Sequence, residues 1–294
     1  MDPPLEQKAG VLPVGPPHLR ARYTARAGGC CPASRHPPIL SGFGVGAYSI
    51  LVHMTGQHRP VIAVFASGSG TTFQAVAEAV RDGLVDFTVG LVITDREDAG
   101  VLDRVRVLNR DHGFDIQTEI INRKRYPDGK QGRGQTLAEA EAMLRALTRH
   151  NIDHLSLMGC LRIIAPQVIE AYGWKPEYAV RDPEHNGLYF ARMSNTHPGI
   201  LPATGDTFGI HTQQKVLDLN LDETAHSFHA VAAGVDTGPL IAEHRVRVFA
   251  PSKYRADMAD TPEALFARVQ RIEKAHLPLA LDTFLKDQAM FLGQ

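Results

Sequence analysis

Asn195 and His197 stand two residues apart, directly ahead of Pro198, and Asp236 follows in Gly234-Val235-Asp236-Thr237-Gly238-Pro239. An amide, an imidazole and a carboxylate together suit acyl transfer. Asn195 can donate a hydrogen bond to a carbonyl oxygen as it becomes an oxyanion. A protonated His197 can do the same and later give up its proton, while Asp236 stabilises the imidazolium and helps carry the proton of an attacking amine. The sequence contains no Gly-x-Ser-x-Gly, which favours direct attack by a substrate amine over a covalent intermediate. The same spacings also suit blander structures, a turn at Asn195 and a plain hairpin loop around Asp236.

A second constellation, Ser67-Gly68-Ser69-Gly70-Thr71-Thr72, separates an apolar run from a helical pattern. Glycines let a backbone approach a ligand, and exposed N–H groups at a helix start suit a phosphate. Thr71 or Thr72 can add a hydroxyl donor or cap the helix. A dinucleotide fingerprint would need glycine where Phe73 stands, and the Gly-Lys-Ser/Thr of a triphosphate loop is missing. A monophosphate is therefore the better ligand; a tight strand–helix turn closed by a hydroxyl is the alternative.

Both constellations need elements to carry them. Val61 to Ala66 is continuously apolar, as expected of a strand buried on both faces. Phe73, Val76, Ala77 and Val80 then fall on one helical face. Strands are expected at 87–94, 116–121 and 154–158, and helices at 99–112 and 137–147. Beyond them come a strand at 192–196, a short helix at 211–219, two antiparallel strands at 224–231 and 239–249, and a closing helix at 261–285 with Leu265, Val269, Ile272 and His276 on its inward stripe. The fold class is α/β: a Rossmann-like, mostly parallel mixed sheet with helices on both faces. Asn195 and His197, at i and i+2, share one side of a strand end, where open α/β sheets bind their ligands. His229 lies on a later strand. Residues 122–134 and 174–190 read as surface insertions.

The chain has 294 residues, 31 Lys and Arg against 32 Asp and Glu, and a net charge of −1. That balance gives no sign of a nucleic-acid or membrane surface, and no apolar run is long enough to span a bilayer. The expected partners are small molecules, and the expected state is a monomer or homodimer. Of Cys30, Cys31 and Cys160, two are adjacent, so no disulfide framework or zinc ligand set is expected; a reducing cytoplasm fits.

Residues 1–58 hold 8 of the 19 prolines and 8 of the 26 glycines, with little periodicity. Such a segment has too little apolar surface to offset its ordering entropy and is expected to be a disordered extension of a catalytic domain at 59–294. Its arginines suit a transit peptide, but Asp2 and Glu6 weigh against one; a true start at Met54 is the other alternative.

Five ordered segments carry a resemblance to a known family: Phe65-Ala66-Ser67-Gly68-Ser69-Gly70-Thr71-Thr72-Phe73-Gln74, Leu157-Met158-Gly159-Cys160-Leu161-Arg162-Ile163-Ile164, Asn195 to Pro202, Ser227 to His229 with Val235 to Pro239, and Arg268 to Pro278. Together they resemble the folate-dependent formyltransferases that act on glycinamide ribonucleotide. The resemblance implies transfer of a formyl group from 10-formyltetrahydrofolate to the amine of that ribotide, with no metal. It implies Asn195, His197 and Asp236 as catalytic residues, Gly70, Thr71 and Thr72 around the ribotide phosphate, and Glu273 on the glycinamide substrate. Leu161, Arg162, Ile164, Ala232, Ala233, Gly234 and Val235 would line the pterin pocket, and His229 would support the site. Three departures bear on the acceptor amine: Thr71-Thr72 where the family usually has Ser-Asn, a longer loop at 203–209, and the two insertions. The rival readings are an N-formyltransferase for another phosphorylated amine, a formyltetrahydrofolate hydrolase, and a ribotide or folate binder without turnover. The hydrolases carry a regulatory domain that residues 1–58 do not resemble, and a pure binder needs no catalytic trio. A formyltransferase acting on methionyl-tRNA would have a basic RNA-binding domain that this sequence does not show.

Overall fold

The computed structural model describes residues 58–127, 132–176, 190–249 and 259–293. The expected disordered extension up to residue 57 and the alternative start at Met54 lie outside these residues. So do 128–131 and 177–189 of the two expected insertions.

The first half builds a parallel sheet. β1 (Val61–Phe65) is followed by α1 (Thr71–Arg81), β2 (Thr88–Thr94), α2 (Gly100–His112), β3 (Gln117–Ile120), α3 (Leu137–Arg149) and β4 (His154–Leu157). α4 (Pro166–Tyr172), a helix the sequence reading did not anticipate, leads towards β5 (Met193–His197). α5 (Ile210–Asp218) and the hairpin strands β6 (Glu223–Ala230) and β7 (Leu240–Arg247) come next, and α6 (Pro262–Gly293) closes the fold. The strand order is β3-β2-β1-β4-β5-β6-β7. β1 to β5 run parallel, whereas β6 pairs antiparallel with both β5 and β7. The expected α/β class with a mixed sheet is what the chain adopts.

Alternation along β1 divides the core in two. Ile62 and Val64 pack with Phe73 and Val76 of α1, Val101 and Val105 of α2, and Leu277 and Leu281 of α6. Ala63 and Phe65 pack on the other face with Met143 and Leu147 of α3 and Val168 of α4. Each face is sealed by helices, which explains why the strands read as unbroken apolar runs. The chain moves outward through β1, β2 and β3 and then crosses back to β4 on the other side of β1. The loops after β1 and β4 therefore diverge at a topological switch point, the usual position of a ligand crevice.

α6 departs from the expected stripe. Leu265, Val269, Glu273, Leu277 and Leu281 are buried, so the inward row follows four-residue steps and takes in a glutamate, whereas His276 is exposed and stacks on His244 with ring centroids 4.2 Å apart. α3 begins with a reciprocal cap: the Glu139 amide donates to Thr136 Oγ1 at 3.0 Å, and the Thr136 amide donates to Glu139 Oε2 at 2.7 Å.

Candidate active site

The C-terminal ends of β1, β4 and β5 open into a cavity of about 720 Å³. Its polar end is built by β5, β6 and the loop after β6. Asn195 and His197 project from the same face of β5, and the antiparallel register sets His229 opposite Asn195. Asp236 reaches them from the β6–β7 loop, in a left-handed conformation at φ 52°. Aspartate tolerates that region better than most residues. The loop can hug the sheet because Gly238 has no side chain: a Cβ there would lie 1.8 Å from the Ala230 carbonyl oxygen.

Four side chains interlock. The Asn195 amide nitrogen lies 3.1 Å from Asp236 Oδ1 and 3.2 Å from His229 Nε2. His229 Nδ1 is 2.9 Å from the Ala230 carbonyl, which can only accept, so the ring proton sits on Nδ1 and Nε2 is left to accept from Asn195. His197 Nδ1 lies 3.4 Å from Asp236 Oδ2, and its Nε2 lies 2.9 Å from the Thr204 hydroxyl. Burial holds His197 below the ordinary imidazole range; the Asp236 carboxylate acts against that, while His229 reinforces it. The cluster can therefore orient an acyl oxygen with an amide, and move a proton between an imidazole and a carboxylate.

A second polar group lies over the other edge of β5. Glu273 of α6 is 7% exposed, and burial pushes its carboxyl up. The hydroxyls of Thr196 and Thr72 bond to it and act in the opposite direction. Thr196 is one residue from both Asn195 and His197, so it faces the opposite side of the strand, and the cavity straddles the sheet edge between the two groups.

The rest of the wall is largely apolar: Leu157, Leu161, Ile163 and Ile164 after β4, Val231 to Val235 after β6, and Phe208. At the mouth the Arg133 guanidinium lies over the Phe208 ring at 4.4 Å, and its Nε donates to the Leu161 carbonyl at 3.1 Å. Cys160 also lines the cavity, but burial pushes its thiol up to about 12, so it offers no thiolate near neutral pH. Among the described residues no group of three or more His, Cys, Asp or Glu side chains is arranged to hold a metal ion, and no helix is long and apolar enough to cross a membrane.

Known proteins resemble this chain in sequence and fold. A family model described as formyl transferase matches residues 61–176. A phosphoribosylglycinamide formyltransferase of Bacillus subtilis is 25% identical over 223 residues, covering 76% of this chain and 93% of that protein. A chloroplastic one from Arabidopsis thaliana is 28% identical over 213 residues, 72% of this chain, but the chain spans only 60% of its length. Among solved structures, the phosphoribosylglycinamide formyltransferase of Bacillus halodurans superposes with a TM-score of 0.59 at 29% identity, over 76% of this chain and 95% of that one. Glycinamide ribonucleotide transformylase 1 of Geobacillus kaustophilus gives 0.60 at 29% identity, over 78% and 100%. Residues 61–176 therefore match a formyl transferase domain, and the similarity to phosphoribosylglycinamide formyltransferases extends over about three quarters of the chain.

The residues singled out from the sequence fall into three groups. Asn195, His197, His229 and Asp236 meet at one end of the cavity, and Thr72, Glu273, Leu161, Ile164 and Ala232 to Val235 line it. Gly70 and Thr71 stand behind the lining. Gly70, not a threonine, is the N-cap of α1, at φ 70°, where a Cβ would lie 2.6 Å from Val101 Cγ2; no side chain caps the helix. Arg162 borders the cavity, but its guanidinium is turned into the protein: Nη2 donates to Glu139 at 2.9 and 2.7 Å and to the Gly134 carbonyl at 3.0 Å. Three residues went unnoticed in the sequence. Gln270 precedes Glu273 by one helical turn and could have been found by that spacing. Thr196 was hidden between two more conspicuous neighbours, and Thr204 gave no sequence signal.

Proposed function

We propose that this formyltransferase carries a formyl group from 10-formyltetrahydrofolate to the amine of glycinamide ribonucleotide. The observation that carries the reading is the convergence of Asn195, His197 and Asp236 at the inner end of an otherwise apolar cavity. A volume of about 720 Å³ suits a folded-in cofactor-sized molecule. Leu161, Ile164 and the 232–235 segment offer the apolar walls a pterin ring needs, so the residues present fit the donor. When bound, the donor supplies an activated one-carbon acyl group.

The roles of the chain's own residues follow from their surroundings. Asn195, whose two amide N–H groups lie on Asp236 and His229 in the resting site, turns one of them to the formyl oxygen as negative charge builds there. His197 takes and returns a proton at Nδ1, beside Asp236. Asp236 accepts the proton lost by the attacking amine and passes it to His197, which delivers it to the departing nitrogen of the donor. Glu273, with Thr72 and Thr196, orients the acceptor from across the sheet edge. The uncapped first turn of α1, at Gly70, Thr71 and Thr72, receives the ribotide phosphate. With the Cys160 thiol held protonated, direct attack by the amine fits better than a thioester.

The test is release of tetrahydrofolate from the formylated donor with and without glycinamide ribonucleotide, using the wild type and His197→Ala. Turnover that needs the ribotide and falls by about two to four orders of magnitude in His197→Ala is expected. Turnover without any amine would instead indicate hydrolysis. Turnover only with another phosphorylated amine would move the acceptor assignment.

A further inference from the structure

We infer that Thr204 is a positioning residue that keeps a proton on Nε2 of His197, leaving Nδ1, the nitrogen beside Asp236, as the one atom of the ring that takes up and releases protons. The inference rests on the acyl-transfer reading of this cluster and adds to it a residue from the loop at 203–209.

Thr204 is fully buried, and its hydroxyl donates to the Ile200 carbonyl at 2.9 Å. A hydroxyl has one proton to give. With that proton on Ile200, only lone pairs remain for His197 Nε2 at 2.9 Å, so Nε2 must be the donor. A neutral imidazole carries a single N–H. Fixing it on Nε2 leaves the Nδ1 lone pair 3.4 Å from Asp236 Oδ2. Two acceptors that face each other invite a proton between them, and the ring can gain one only there. This divides the imidazole into an anchored nitrogen and a reactive one.

The sequence makes room for the anchor. A Cβ on Gly199 would lie 2.3 Å from Thr204 Oγ1, 2.4 Å from Thr212 Cγ2 and 3.0 Å from His197 Nε2. The bare backbone at 199 and the hydroxyl at 204 are thus a matched pair: the hydroxyl fills the space a side chain at 199 would need. The turn holding Thr204 is closed independently by its own amide, which donates to Ile200 at 3.1 Å, and by the Thr207 hydroxyl, which donates to the Thr204 carbonyl at 2.7 Å. Removing the Thr204 hydroxyl should therefore free the imidazole without opening the loop.

The experiment is NMR of the full chain carrying isotope-labelled histidine, with the tautomer read from nitrogen–proton couplings across pH. It compares wild type, Thr204→Val and Thr204→Ser, and the His197 signals are assigned by their loss in His197→Gln. The pH profile of kcat/KM is measured on the same samples. The expected result is a neutral His197 with its proton on Nε2 in the wild type and in Thr204→Ser. Thr204→Val should populate the other tautomer, shift the pH limb and lower kcat by about 10-fold or more, with KM for both substrates little changed. A wild-type His197 with its neutral proton on Nδ1 would overturn the inference, as would a Thr204→Val protein with wild-type tautomer and pH profile. If Thr204→Val does not fold, the wild-type tautomer decides. If no variant formylates glycinamide ribonucleotide, the functional reading falls while the tautomer still decides this one.

Discussion

His226 gives the most quantitative consequence of the fold. It lies on β6 with no exposed surface, and among the described residues neither ring nitrogen has a hydrogen-bond partner. Its neighbours are other imidazoles: His244 on β7 stacks at 5.9 Å, and His276 of α6 stacks on His244. Burial, reinforced by His244 and His276 and then by His197 and His229, lowers its pKa from 6.5 to about 3. In the unfolded chain the same ring titrates at its ordinary value. Between pH 6.5 and 3 the unfolded state therefore holds a proton that the folded state does not. Stability is complete above pH 6.5 and falls as pH drops, by about 1.4 kcal/mol per pH unit for this one group. At pH 4.5 the loss reaches up to about 3 kcal/mol, a large fraction of the usual total of about 5–15 kcal/mol. His226→Phe keeps a flat ring and removes the titration. Urea unfolding at several pH values between 7.5 and 4.5 should show the variant losing stability more slowly than the wild type, with the gap widening by about 1.4 kcal/mol per unit below pH 6.5. Parallel stability curves for the two proteins would refute the reasoning, because they would mean that His226 is protonated equally in both states.

Three further outcomes are expected. Asp236→Asn should lower kcat by about 10²- to 10⁴-fold while donor binding, measured by calorimetry, persists, because the amide keeps the shape but cannot take a proton. Glu139→Ala should cost about 3–5 kcal/mol in urea unfolding, because it leaves the Arg162 guanidinium buried without its carboxylate; Glu139→Gln, which keeps the helix cap, should cost less. Arg133→Ala should raise the donor KM with kcat unchanged, by about 2- to 30-fold on the scale of a cation–π contact, because it strips the cation and its stacking from the cavity mouth.

Much of the fold was legible because burial on both faces leaves a direct trace. β1 and β2 are runs of valine, isoleucine and leucine, and the helices between them keep one apolar stripe each. What the sequence concealed had specific physical causes. α4 is a single short helix opened by Pro166 in a segment too brief to establish a period. The inward row of α6 was misread because Glu273 looks like a surface residue until Thr72 and Thr196 are seen to bond to it. Arg162 was expected to line the pterin pocket and does border the cavity, but the pairing of its charge with Glu139, a residue distant in sequence and drawn inward by its own helix cap, was not legible. Asn195, His197 and Asp236 could be picked out because polar groups at a strand end and in a glycine-rich turn are conspicuous. Thr204 could not, because a threonine in a loop says nothing until the atom it touches is known.

The proposed catalytic cluster sets opposing influences against one another more than it relies on any single strong contact. Burial pushes the His197 imidazole below its ordinary range, and Asp236 pushes the other way; the ring feels both at once. A proton carrier needs the two states to lie close in energy, since a group pinned in either one cannot turn over near neutral pH. The geometry supports that balance. The 3.4 Å separation of Nδ1 and Oδ2 is longer than a strong charged hydrogen bond, so neither partner is locked into ownership of the proton. Asp236 is in turn held by Asn195 at 3.1 Å and sits in a backbone conformation that only a few residue types adopt readily, so its carboxylate is shared between an amide and the imidazole.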